Sequence, residues 1–121
     1  MFKARVLSFK YAVHGIADLF INTPNARIHL VVSIIVVAAS FYFQLSKFEW
    51  ISILFAIGFV IAAESFNTSI EYLTDLVTED YHELAKKTKD AAAGGVLISA
   101  ITASIIGAYI FLPYMMILVF G

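Results

Sequence analysis

Cysteine is absent from the 121 residues, so neither a disulfide nor a thiolate metal site is open to this chain. Charge is scarce too: Asp, Glu, Lys and Arg make up 14% of the residues, against roughly 25% in soluble domains. No GxxxxGK[ST] stretch occurs, which excludes a P-loop phosphate cradle, and no HExxH occurs, which excludes that zinc-hydrolase motif. No internal repeat, low-complexity linker or composition shift marks a second domain, and residues 1–121 read as one unit. What fills the chain instead is hydrocarbon, with 61% hydrophobic residues and a mean hydropathy of +0.89. That is the composition of a bilayer protein. The first 27 residues carry Lys3, Arg5, Lys10, Asp18 and Arg27, lack the unbroken apolar core of a signal peptide, and are read as part of the mature protein.

Three membrane helices are expected. Residues 28–46 hold no formal charge and match a hydrocarbon core of ~30 Å. Residues 50–63 are clean for only about 21 Å of helix, too little to span. The second membrane helix is therefore extended to 50–77, carrying acidic residues below the surface. Residues 91–121 are uncharged, and the third membrane helix is placed at 91–118, with Pro113 expected to kink or end it. Before these, Phe2, Val6, Phe9, Val13, Ala17 and Phe20 recur at near-helical spacing, with Lys3, Lys10, His14 and Asp18 on the other side. This predicts an amphipathic surface helix over 1–21. Asn22-Thr23-Pro24-Asn25 breaks it, and Asn22 or Thr23 before Pro24 suits the start of the next helix. Seven Lys and Arg flank the N-terminal segment and the second loop, whereas Lys47 stands alone in the first loop, which predicts a cytoplasmic N-terminus.

The stretch AAESFNTSIEYLTDL places Glu64, Asn67, Glu71 and Asp75 in what should be membrane helix. A charged side chain at a helix centre opposes insertion by roughly 2.5–3.5 kcal/mol, so intramembrane carboxylates point to function. At ~100° per residue these four fall within a wedge of about 80°, one polar stripe running from the hydrocarbon to the surface. Glu64 should lie roughly 10 Å deeper than Glu71. The following YHELAKKTKD adds Lys86, Lys89 and Asp90 at helical spacing. Carboxylates with an amide suit a hard cation such as Mg²⁺, which takes oxygen ligands and often brings substrate phosphates. A nearby lysine supplies a point charge for a phosphate. Together they indicate phosphoryl transfer, where positioning and charge neutralisation supply most of the catalysis.

Blander readings exist for each feature. The stripe could be a polar network that ties helices together, or an ion path through a small oligomeric pore. Lys86, Lys87 and Lys89 could serve only topology. His29 reads as a hydrogen-bonded interface histidine, and His82 as a solvated loop residue. Asn67-Thr68-Ser69 matches a glycosylation sequon by chance, and Gly94-Gly95 reads as a site of close helix packing. Lys89-Asp90 separates a nucleotide site, which needs such a pair, from a pore, which does not.

ESFNTSIEYLTD followed by YHELAKKTKDAAAGGVL resembles the pattern E-x-x-N-[ST]-[AS]-[IV]-E-x-x-x-D … H-x-x-[AS]-[KR]-x-x-K-D of the small bacterial integral-membrane lipid kinases, the diacylglycerol and undecaprenol kinase family. The likeness extends through FKYAVHGI and NARIHL to nearly the whole chain. It implies an all-α homotrimer of three-span subunits in the inner membrane, with active sites shared between subunits. It implies an ATP-dependent, Mg²⁺-requiring kinase acting on a lipid hydroxyl, and NARIHL leans toward the undecaprenol branch. Carried over residue by residue, Glu64 would be the catalytic base and Asn67 would orient the site. Glu71 would bind the metal, and Lys89 with Asp90 would engage the ATP phosphates. Tyr11, Asp75, His82 and Glu83 match positions near the nucleotide. One position departs: Thr23 stands where the family usually has an acidic metal ligand, which leaves the number of metal ions open and allows a catalytically impaired relative.

Overall fold

Helix boundaries in this chain follow from cap and turn chemistry at three junctions. The computed structural model describes residues Met1–Gly121 as α1 (Phe2–Asn22), α2 (Pro24–Tyr42), α3 (Lys47–Val77) and α4 (Glu83–Phe120). Thr23 is extended and Pro24 opens α2, where a missing N–H is harmless. At the other end, Gln44 adopts φ 53°. Its N–H bonds Phe41 O at 3.2 Å and the Leu45 N–H bonds Ser40 O at 3.2 Å, the paired bonds of a Schellman stop. Residues 43–46 of the expected 28–46 span are therefore a turn, and the helix runs from Pro24 to Tyr42 instead. Ser46 and Glu49 then close a capping box, with Glu49 N to Ser46 Oγ at 3.3 Å and Ser46 N to Glu49 Oε2 at 2.8 Å. This starts α3 three residues before the expected 50.

The last helix differs most from expectation. His82 caps α4 by accepting the Leu84 N–H on Nδ1 at 3.1 Å, so it is an N-cap and not a free loop residue. The segment 83–90 becomes the first two turns of the same 38-residue helix that was expected to begin at 91. Pro113 lies inside α4 without ending it, and the helix continues to Phe120. Such prolines are tolerated in apolar helices, where local adjustment and neighbouring groups satisfy the freed carbonyl.

Only 13 of 121 residues are buried, and most large apolar side chains face outward. In water this surface would be prohibitive. α2, α3 and α4 are each long and apolar enough to cross a membrane, and at ~1.5 Å per residue α3 and α4 outrun a ~30 Å core. α3 pairs most extensively with α4, α2 lies against α3, and α1 touches both α2 and α3 near the buried Leu19. The α1 apolar residues Phe2, Val6, Phe9 and Val13 are all exposed. No part of the chain lies within 4 Å of where a Cβ on Gly94 or Gly95 would stand, so these glycines do not serve close packing within one chain.

At the end away from the acidic stripe, Leu45, Ile53 and Ile110 form a small core bordered by Phe43, Trp50 and Tyr114. Tyr114 Oη donates to Glu49 Oε2 at 2.9 Å, so the capping-box carboxylate also ties α4 to α3. Tyr114→Phe should lower the thermal unfolding midpoint in micelles by a few degrees and leave turnover unchanged. An unaltered midpoint would show that the tie is dispensable.

Candidate active site

The stripe on α3 passes from buried to exposed as it descends. Glu64 is 1% exposed and Asn67 is buried, whereas Glu71 and Asp75 are exposed. The i, i+3, i+7, i+11 spacing therefore does align them, and the neighbouring helices bury only the upper half. α2 supplies the one side-chain partner to the buried carboxylate: His29 Nε2 lies 3.2 Å from Glu64 Oε1, without hydrogen-bond alignment. Asn67 Nδ2 donates to Glu71 Oε1 at 3.1 Å, one turn along, while Asn67 Oδ1 is buried with no partner. Asp75 accepts from Lys89 Nζ, which joins α3 to the first turns of α4.

Other expected site residues stand apart. Asp90 pairs with Lys86 and Glu83 with Lys87, both as exposed i, i+4 pairs along α4. His82 is committed to the α4 cap, and Tyr11 is exposed on α1, joining none of these pairings. Thr23 does come to the stripe: its Oγ1 lies 3.4 Å from Oγ1 of the buried Thr68, beside Asn67. Three polar residues were not anticipated. Tyr72 Oη donates to Asp18 Oδ2 at 2.8 Å and Asn22 Nδ2 to Asp18 Oδ1 at 2.6 Å, pinning α1 to α3 on the flank of the stripe. No spacing rule announces a pair separated by 54 residues.

An oxygen-seeking dication fits part of this arrangement. Asn67 Oδ1, buried and unpartnered, and the Glu71 carboxylate are hard donors one turn apart. No cluster of three His, Asp or Glu side chains forms within the chain. Mg²⁺ suits such a sparse set, because it keeps several waters and binds through one or two carboxylates plus phosphates.

An apolar cavity of about 590 Å³ lies between α2, α3 and α4, bordered by His29, Val36, Ile57, Val60, Ala103 and Phe111 among others. It reaches Val60 and His29, and so ends one turn from Glu64. Its two serines are spent on backbone: Ser33 Oγ donates to His29 O and Ser104 Oγ to Ala100 O.

Helices long and apolar enough to cross a membrane, a buried carboxylate near an apolar cavity, an amide–carboxylate pair below it and a lysine paired with Asp75 beyond are the parts of an intramembrane enzyme. Comparison with known proteins narrows the class. Residues 10–111 match the prokaryotic diacylglycerol kinase family. The chain is 41% identical over 106 residues to the undecaprenol kinase of Bacillus subtilis, covering 88% of this chain and 86% of that protein. It is 38% identical over 109 residues to the diacylglycerol kinase of Synechocystis, covering 89% of this chain and 62% of that protein. Against the diacylglycerol kinase of Escherichia coli K12 the identity is 26% over 95 residues, 78% of each chain. The chain belongs to the prokaryotic diacylglycerol kinase family and is a lipid kinase.

Proposed function

We propose that this kinase transfers the γ-phosphoryl group of MgATP to the hydroxyl of a polyprenol such as undecaprenol, in preference to diacylglycerol. In this reading it works in the inner membrane as a homotrimer with shared active sites, α1 lying on the cytoplasmic surface. The observation that carries it is the burial of Glu64 at the end of an apolar cavity and a turn above the Asn67–Glu71 pair. The cavity supports the choice of lipid. With both serine hydroxyls donated to backbone, it offers a diacylglycerol ester carbonyl no free hydroxyl donor, whereas a polyprenyl chain needs none. The likeness to an undecaprenol kinase supports the same choice.

Glu64 accepts the proton of the lipid hydroxyl as its oxygen bonds to Pγ, and the bond from Pγ to the β-phosphate oxygen breaks to release ADP. Glu71 and Asn67 would hold the metal, which would supply charge neutralisation for the transferring phosphate. Lys89, held by Asp75 where α3 meets the first turns of α4, would neutralise phosphate charge. Asp90, Glu83, His82 and Tyr11 would border the nucleotide in this reading, although none of them joins the stripe within one chain.

The direct test is transfer of labelled γ-phosphate in mixed micelles with undecaprenol or diacylglycerol as acceptor. Label in undecaprenol at a kcat/KM at least about tenfold above that for diacylglycerol is expected. The reverse order would overturn the lipid assignment. Thr23 puts a neutral hydroxyl beside the stripe, at the position where the family resemblance leads one to expect an acidic ligand. Thr23→Glu should lower the half-activating Mg²⁺ concentration about tenfold, since affinity follows ligand charge. An unchanged Mg²⁺ titration would remove position 23 from the metal site.

A further inference from the structure

Nothing in the proposed chemistry so far uses His29, yet it alone bridges the apolar cavity and the buried carboxylate. It sits on α2 with a quarter of its side chain exposed, lines the cavity, and brings Nε2 to 3.2 Å from Glu64 Oε1. No other donor reaches that oxygen, which is otherwise buried and unpartnered. A carboxylate held this deep without a fixed partner is free to turn away from the reacting hydroxyl, or to bind a proton in place of the substrate's. The His29 backbone is in regular helix, and the one polar side chain its ring meets is the Glu64 carboxylate. The pair is loosely aligned, as catalytic hydrogen bonds commonly are before substrate arrives.

We propose that His29 is a positioning residue for the acceptor step, holding Glu64 Oε1 so that Oε2 faces the lipid hydroxyl at the head of the α2–α3–α4 cavity. The proposal rests on the reading of Glu64 as the base. It places the donor on the helix that also lines the lipid's cavity, so that filling the cavity and aligning the base are coupled through one side chain. A purely structural histidine would affect folding and every kinetic constant together. A positioning histidine affects kcat alone, and its effect depends on keeping an N–H donor at the same reach.

The test compares wild type with His29→Leu, His29→Gln and Glu64→Gln in micelles, using undecaprenol, diacylglycerol and labelled MgATP, with thermal unfolding measured on each. His29→Leu is expected to lower kcat by about 10–100-fold with the KM for MgATP within about twofold of wild type. His29→Gln, which keeps a donor, should recover at least about a third of wild-type kcat at an unfolding midpoint matching that of His29→Leu. Equal losses in the Leu and Gln variants, an unchanged kcat in the Leu variant, or a parallel rise in the KM for MgATP would overturn the inference. Loss of transfer in Glu64→Gln alongside a fully active His29→Leu would overturn it while leaving the base intact. A fully active Glu64→Gln, or a wild type that labels neither lipid, would overturn the base reading and the inference with it.

Discussion

Glu64→Gln should reduce lipid phosphorylation by about 10²–10⁴-fold, the range lost when a general base is removed, while the chain still folds. The substitution changes one oxygen for an amide at constant shape. It removes a charge that has only His29 within 3.2 Å and is 1% exposed, so the folded helices lose no well-formed ion pair. A carboxylate buried this deep opposes insertion, and a functional role is the reading that the substitution tests. The check is a kcat measurement in saturating MgATP and lipid beside an unfolding curve. A Glu64→Gln protein that unfolds at the wild-type temperature and transfers phosphate at the wild-type rate would return Glu64 to a structural polar network. An ion-path reading makes a separate demand: cation flux through reconstituted vesicles that Glu64→Gln abolishes and that does not depend on ATP.

Glu71→Gln should be nearly as severe, with kcat down at least about 10²-fold and a Mg²⁺ requirement shifted to higher concentration, because metal neutralisation of a transferring phosphoryl is worth several kcal/mol. Its environment differs from that of Glu64. Glu71 is exposed, two turns nearer the mouth, and its Oε1 accepts from the Asn67 amide at 3.1 Å, while Asn67 Oδ1 is buried and unpartnered. The two substitutions should therefore separate kinetically. Excess Mg²⁺ should partly rescue Glu71→Gln and should do nothing for Glu64→Gln. Full activity of Glu71→Gln at limiting Mg²⁺ would remove it as a metal ligand. Equal rescue of both variants would mean that the two carboxylates are not divided between base and metal roles.

Much of the candidate site's layout was legible because it lies on one helix. Spacing alone aligns Glu64, Asn67, Glu71 and Asp75, since α-helix geometry is the same whatever surrounds it. The start of α3 was legible as well, in the Ser46-Lys47-Phe48-Glu49 capping signal, which a reading by charge alone passes over. The end of α2 was not, because a Schellman stop usually displays a glycine and here Gln44 takes the left-handed position. Charge likewise misled at α4. Lys and Asp side chains mark where a helix leaves hydrocarbon, but they do not stop it, and Glu83–Asp90 pairs its charges at i, i+4 within the continuing helix.

The sequence by itself determined the membrane class, the helix count, the acidic stripe and the motif that places the chain among lipid kinases, all of which depend on local order along the chain. Which stripe residues are buried, that His29 faces Glu64, that Lys89 chooses Asp75 while Asp90 is taken by Lys86, and that Asp18 pins α1 to Tyr72 were decided only by the tertiary structure. Such pairings depend on how helices far apart in sequence are rotated and offset against each other. That is set by the packing of whole faces, not by the spacing of any one segment.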